Sequence, residues 1–238
     1  MSHLQPAPGP WPHAPSNCVS VGEDPPEHPF SRPHLRRLAN AEAFAASRGW
    51  PLCAHLTIHF RLAEGFTEAS WSRFQTDLFD KAARWLRRRG IPVAFLWTRE
   101  NGPVKGPHLH CLLHLPHRLW GRFKTFLLHA GRFQASDAGG EAIAITGGAF
   151  GMLVPSMRTG ALKYLSKTAD CSARIMGELG IRPRPGLPVN LKRVGVSHTI
   201  AQRARREAGW AEMRSLPELR AHLNPASAAA AGGAYGLA

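Results

Sequence analysis

Alternating apolar and polar positions predict strands in the middle of the chain. The sequence His-Leu-Thr-Ile-His-Phe at 55–60 places three apolar side chains on one face and two histidines with a threonine on the other. Residues 92–100 and 108–115 alternate in the same way, and the turn-forming segment 101–107 between them predicts a hairpin. A shorter stretch, 141–146, predicts a fourth strand.

Helical spacing of apolar residues predicts three helices, over about 67–90, 119–130 and 156–167. The first begins with a capping threonine and the third with a capping serine. The first two helices and the four strands follow the order strand, helix, strand, strand, helix, strand. This is the order of the ferredoxin-like (RRM-like) unit. We therefore expect an α+β protein, with an antiparallel sheet and helices on one face.

The composition of the chain ends separates them from this central region. Nine of the 20 prolines lie in the first 33 residues, and the absence of periodicity there predicts that residues 1–35 are disordered. We expect the folded domain at 50–175 and a basic linker with a helical C-terminal extension at 182–222, including a helix over 200–213. The Ala/Gly-rich residues 226–238 are expected to be a loose tail.

The charge of the chain is strongly positive, with 30 Lys and Arg against 16 Asp and Glu, a net +14. Residues 1–50 are neutral overall, residues 51–181 carry +8 and residues 182–238 carry +6. This distribution favours phosphates as the partner of the folded region. The four cysteines form no CxxC pair, which favours a reducing compartment. With no secretory signal and no long apolar run, we expect a cytoplasmic protein without a membrane partner.

The polar face of the strand at 108–115 is the first candidate for chemistry. His108, His110 and His114 share it, and two imidazoles at i and i+2 stand close enough to hold one divalent ion. Glu100, at the end of the preceding strand, lies on the same face and is the candidate third ligand, with His114 and His59 as competitors. Histidines also occur on the polar face of amphipathic strands without binding metal. A second feature is therefore needed to distinguish a metal site from an ordinary polar face.

That second feature is Tyr164, the only tyrosine outside the C-terminal tail. On the predicted helix, Tyr164 shares a face with Lys167, away from the apolar stripe, and Lys163 precedes it. Neighbouring positive charge lowers the cost of a phenolate and attracts a phosphate. The alternative is a tyrosine with a packed ring and a hydrated hydroxyl. Together with the histidines, Tyr164 predicts metal-assisted phosphodiester cleavage through a covalent phosphotyrosine.

Two motifs resemble those of one enzyme superfamily. The segment 106–116, Gly-Pro-His-Leu-His-Cys-Leu-Leu-His-Leu-Pro, resembles the His-hydrophobic-His motif of the HUH endonucleases, which include rolling-circle replication initiators and related transposases. The segment 164–167, Tyr-Leu-Ser-Lys, is similar to their catalytic Tyr-x-x-Lys helix. The strand at 55–60 lies where their first motif falls, but matches it only as an apolar strand with a threonine. The resemblance covers about residues 52–170.

This resemblance implies a role for each matching residue. His108 and His110 would bind Mg²⁺ or Mn²⁺, with Glu100 as the weaker third assignment. Tyr164 would be the nucleophile, and Lys167 would steady the phosphate or the phenolate. No second tyrosine lies one helical turn away, so the chain resembles the single-tyrosine members.

The activity implied is metal-dependent nicking and joining of single-stranded DNA at a stem-loop origin. The 5′-phosphotyrosine intermediate leaves a free 3′-hydroxyl, which primes rolling-circle replication of a plasmid or phage with the host helicase and polymerase as further partners. Residues expected to contact DNA lie beside the tyrosine, on the first strand and on the C-terminal helix: Lys163, Thr57, His59, Arg203, Arg205 and Arg206.

Three alternatives remain open from the residues alone. A transposase would use the same chemistry. A non-catalytic nucleic-acid-binding module on the same sheet would carry aromatic residues on its open face, where this chain has histidines. A two-His-x-Thr phosphoesterase would need two such motifs, and only His55-Leu-Thr57 occurs.

Overall fold

The structure is a computed structural model that describes residues 31–102, 105–134, 141–146, 155–167, 173–182, 189 and 192–224. The predicted disorder of residues 1–30 and the predicted loose tail at 226–238 lie outside the described residues. Residues 32–35, expected to be disordered, form the first turn of a helix whose Leu35 is buried.

Seven helices and five strands are described. The helices are α1 (Arg32–Ser47), α2 (Trp71–Arg87), α3 (Trp120–Ala130), α4 (Pro155–Leu165), α5 (Ala173–Glu178), α6 (Gln202–Glu207) and α7 (Leu216–Leu223). The strands are β1 (Ala54–His59), β2 (Phe95–Gly102), β3 (Gly106–Leu113), β4 (Ile143–Thr146) and β5 (Val194–Val196). Short 3₁₀ helices cover Phe60–Leu62, His117–Leu119 and His198–Ile200.

The five strands form one antiparallel sheet in the order β4-β1-β3-β2-β5. The protein is therefore α+β, as predicted, and the sheet is compatible with a ferredoxin-like arrangement. Strand β5 comes from the segment expected to form a separate extension. It pairs with β2 through residues 194–196, so part of the segment 182–222 belongs to the sheet itself.

The first face of the sheet is covered by α2 and α3. Apolar side chains of β1 and β3, including Ile58 and Leu109, pack there against Leu78 of α2 and Phe123 of α3. The helical stripe predicted for α2 is confirmed, since Trp71, Leu78, Ala82 and Trp85 are buried.

The opposite face is also covered, so the prediction of helices on one face only is wrong. Leu96 of β2 and Leu112 of β3 are buried there in a second apolar cluster, with residues from α1, α4, α5 and α7. Helix α1 was missed because alanines form much of its buried side, and small side chains give a weak periodic signal.

The C-terminal region differs from the single helix predicted over 200–213. A 3₁₀ turn precedes α6, which ends at Glu207, and the chain then turns at Gly209 with a positive φ of 65°. Helix α7 begins at a capping box in which Ser215 and Glu218 exchange hydrogen bonds. Among the described helices, none is long and apolar enough to cross a membrane.

Candidate active site

The register of three strands brings the predicted metal ligands together. His108 of β3 lies opposite Glu100 of β2 on one side and His59 of β1 on the other. Two residues along, His110 lies between Thr98 and Thr57 in the same way. Since side chains alternate along a strand, these residues project from one face of the sheet.

Glu100, His108 and His110 form a buried cluster with the composition of a metal site. The Oε2 atom of Glu100 lies 3.3 Å from Nε2 of His108 and 3.7 Å from Nε2 of His110. The three candidate ligand atoms all lie within 4.8 Å of one another, and each residue is at most 5% exposed. A cation between them would therefore be largely shielded from water.

Hydrogen bonding fixes which nitrogen of His108 faces the cluster. Its Nδ1 lies 2.7 Å from the carbonyl oxygen of Gly106, which can only accept, so Nδ1 carries a proton. In the neutral ring, the lone pair is then on Nε2 and is directed at the Glu100 carboxylate. A metal ion between the two groups would bind this lone pair, whereas a proton on Nε2 makes His108 the donor of a hydrogen bond to Glu100.

His110 is held in a similar way by the first strand. Its Nδ1 lies 3.1 Å from Oγ1 of Thr57 and 3.2 Å from Nε2 of His55. Burial lowers the pKa of His110, and the charge of Lys167 lowers it further, so the ring is neutral. Its Nε2 and Oε1 of Glu100 are both buried without a hydrogen-bond partner in the described part of the chain.

These unpartnered atoms fit a divalent cation. Buried polar atoms are nearly always satisfied, and a site with two imidazole nitrogens and a carboxylate oxygen satisfies them when a metal binds. Two imidazoles and one carboxylate are a ligand set that several divalent cations share, including catalytic zinc. The site resembles neither a closed zinc site nor an all-oxygen calcium site.

Tyr164 and Lys167, at the C-terminal end of α4 and just beyond it, lie over this cluster. The Tyr164 ring meets His110 edge to face, with centroids 4.9 Å apart, and it is 38% exposed. Lys167 places its Nζ 3.6 Å from the centroid of the Tyr164 ring and 2.9 Å from Oε2 of Glu100. One ammonium group therefore contacts both the candidate nucleophile and the candidate ligand.

The charge state of Glu100 follows from these neighbours. Burial by itself raises the pKa of Glu100, but the hydrogen bond with His108 and the positive charge of Lys167 outweigh it, so the net pKa lies below its usual value. Glu100 is therefore a carboxylate at neutral pH, which is the form that binds a metal.

His55 is a member of the site to which the sequence analysis assigned no role. It contacts His110 through Nε2, and its ring lies edge to face with Tyr164, with centroids 5.7 Å apart. Burial and the charge of Lys167 lower the pKa of His55 to about 4, against an opposing effect of Glu100. The period-2 pattern that grouped His55 with Thr57 was the available signal, but only the sheet register shows that both reach His110.

The other histidines proposed as ligands lie outside the cluster. His59 stacks on His108 with ring centroids 5.6 Å apart, and it is not among the clustered ligands. His114 follows the end of β3 and makes a hydrogen bond to the carbonyl oxygen of Pro51 at 3.0 Å. Glu100 is therefore the residue that the fold brings to the third position.

The structure places the residues expected to contact DNA in different surroundings. Thr57 and His59 lie beside the metal cluster, whereas Lys163 is directed to Oδ1 of Asn224, 2.6 Å away. Arg203 is exposed and pairs with Glu207, and Arg206 is also exposed.

The burial of Arg205 contradicts the prediction that this residue contacts DNA. It is only 1% exposed, pairs with Glu212 at 3.0 Å and donates to the carbonyl oxygen of Ile200. Its guanidinium holds the turn after α6 to the start of that helix, so Arg205 is a structural residue.

Comparisons with protein-family models, with curated proteins and with solved structures give no match for this chain.

Proposed function

We propose that this protein is a metal-dependent HUH-type endonuclease that nicks and joins single-stranded DNA through a phosphotyrosine on Tyr164 and so initiates rolling-circle replication. One observation carries the proposal. The ring of the exposed Tyr164 meets His110 edge to face, and His110 belongs to a buried cluster of two histidines and one carboxylate.

The strand order supports the proposal. Without β5, the sheet reads β4-β1-β3-β2 and is antiparallel throughout. With α2 after β1 and α3 after β3, this is the connectivity expected of a ferredoxin-like domain with an added edge strand. In this arrangement, the hairpin of β2 and β3 supplies the metal ligands and α4 supplies the nucleophile.

Glu100, His108 and His110 would hold Mn²⁺ or Mg²⁺, which would polarise the scissile phosphate and stabilise the negative charge that develops during attack. In the tautomer of His110 that carries its proton on Nδ1, Thr57 Oγ1 or His55 Nε2 would accept that proton, and the Nε2 lone pair would then be free for the metal. The Gly106 carbonyl does the same for His108.

The phenolate oxygen of Tyr164 attacks the phosphorus, its proton having passed to solvent. A bond forms from this oxygen to phosphorus, and the bond from phosphorus to the 3′ oxygen breaks. The 3′ oxygen takes up a proton and leaves as a hydroxyl, while the 5′ phosphate stays on Tyr164. The Lys167 ammonium lies 3.6 Å from the centroid of the Tyr164 ring, where its charge would attract the scissile phosphate.

The reverse step joins strands, because a 3′-hydroxyl that attacks the phosphotyrosine releases Tyr164. The same chemistry therefore serves replication and transposition. A non-catalytic binding module is disfavoured, because burial of two histidines beside a carboxylate with unpartnered atoms costs stability and contributes nothing to stacking on bases.

The test is covalent capture of DNA by Tyr164. The protein is incubated with Mn²⁺ and a labelled pool of stem-loop oligonucleotides with randomised loops, and adducts are resolved on denaturing gels. We expect an adduct with the unmodified protein and with Tyr235→Phe, the matched control, and none with Tyr164→Phe. An adduct of equal yield in Tyr164→Phe would exclude Tyr164 as the nucleophile, and no adduct with any DNA would reject the proposed activity.

A further inference from the structure

A polar cleft of about 420 Å³ lies between α1 and α6. Its lining includes two arginines of α1, Arg36 and Arg37, and three of α6, Arg203, Arg205 and Arg206. The sequence analysis placed α6 in a separate extension, and it assigned most of α1 to neither the disordered segment 1–35 nor the folded domain 50–175. The fold brings their cations together.

The acidic residues nearby do not neutralise this cleft. Glu212, the one acidic residue that lines it, pairs with the buried Arg205. Glu207 pairs with Arg203 at the surface, where such an ion pair contributes little to stability. Within the described ranges, Arg37 and Arg206 have no acidic partner.

The surroundings of Arg37 disfavour its positive charge. It is half-buried, and burial together with the charge of Arg205 lowers its pKa. The pKa of Lys192 is also lowered, first by burial and then by the positive charge of Arg37. Like charges held this close on packed helices are disfavoured unless an anion binds between them.

Lys192, whose pKa is lowered in part by the charge of Arg37, connects the surroundings of the cleft to the edge of the sheet. Lys192 and Arg193 precede β5, and the Arg193 carbonyl accepts a hydrogen bond of 2.8 Å from the backbone of Arg99. Arg99 directly precedes the candidate ligand Glu100.

We propose that the cleft between α1 and α6 binds the phosphate backbone of duplex DNA beside the nicked strand. The proposal rests on the proposed function for its place in the reaction. Guanidinium groups bind phosphate oxygens with paired hydrogen bonds. The lining contains no aromatic side chain among the described residues, whereas single-strand grooves use aromatic rings to stack exposed bases. A duplex, whose bases are already stacked, needs only the backbone contacts offered here.

The experiment measures binding without chemistry. The full chain carries Tyr164→Phe and is titrated in EDTA with a blunt DNA duplex and with an oligothymidylate of equal length, over a series of salt concentrations. The test variant adds Arg37→Gln and Arg206→Gln. The matched control adds Arg73→Gln and Arg84→Gln, which remove two exposed cations from α2 on the other side of the sheet.

For the duplex, we expect the slope of log affinity against log salt to become shallower by about 1.8 in the test variant, since each lost phosphate contact removes about 0.9. The control variant is expected to keep the original slope. Arg206→Gln alone, at an exposed position, should change the slope by about 0.9 and guards against a folding defect caused by Arg37→Gln.

Two outcomes would overturn the proposal. One is a duplex slope in the test variant equal to that of the control. The other is a loss of oligothymidylate affinity as large as the loss of duplex affinity, which would make the cleft a single-strand site. Neither outcome depends on cleavage, so failure of the cleft and failure of the proposed nuclease activity are separable.

Discussion

The two faces of strand β3 bury different kinds of side chain, apolar on one face and histidine on the other. On one face, Leu109 and Cys111 pack into the apolar cluster under α2 and α3. On the other, His108 and His110 are buried almost as completely, and Nε2 of His110 has no hydrogen-bond partner among the described residues. The first face gains stability from every contact, whereas the second carries a cost in stability that only a ligand would offset. The candidate site therefore lies on the face where burial is unfavourable without a ligand.

The largest expected effect removes the ligands themselves. His108→Ala with His110→Ala should abolish Mn²⁺ binding measured by titration calorimetry, together with adduct formation. In the unmodified protein, Mn²⁺ at about 100 times its Kd should raise the free energy of unfolding by about 2.7 kcal/mol. The double variant should show no such increase. Adduct formation that persists in this variant, or in EDTA, would show that the cluster is not the metal site.

The next effect tests the apolar face of the same strand. Leu109→Ala should lower the free energy of unfolding by about 2–5 kcal/mol, because a fully buried side chain leaves a cavity. His110→Ala should lower it by less than about 1 kcal/mol, because it also removes an unsatisfied nitrogen. Urea denaturation of both variants without metal measures the difference. Equal losses would mean that the two faces contribute alike and that the contrast is wrong.

The smallest expected effect concerns His55, which touches both His110 and Tyr164. Because groups that orient a ligand typically change metal affinity by 10–100-fold, His55→Ala should weaken Mn²⁺ binding by about that factor and lower kcat more than it raises KM. His55→Gln, which keeps an acceptor for the Nδ1 proton, should recover part of the affinity. His114→Ala, outside the cluster, is the control. Unchanged Mn²⁺ affinity in His55→Ala would argue against a positioning role.

The features predictable from sequence are those with a local signal. Alternation placed His108 and His110 on the face opposite Leu109, and helical spacing placed Tyr164 and Lys167 together. The missed elements have a weaker signal: β5 has only three residues, and the buried side of α1 mixes three alanines with the polar Asn40 and Glu42. Arg205 was wrongly assigned to DNA because its charge is visible in the sequence, while its burial beside Glu212 is not.

By itself, the sequence determined which residue types face which way along each element, because side-chain direction follows from the period of a strand or helix. It thereby specified the candidate ligands and the candidate nucleophile. Only the tertiary structure decided that Glu100, rather than His59 or His114, completes the cluster. It also decided that His55 joins the site and that arginines of α1 and α6 share one cleft. These facts depend on strand register and on contacts between residues distant in sequence. A local sequence pattern determines neither of them.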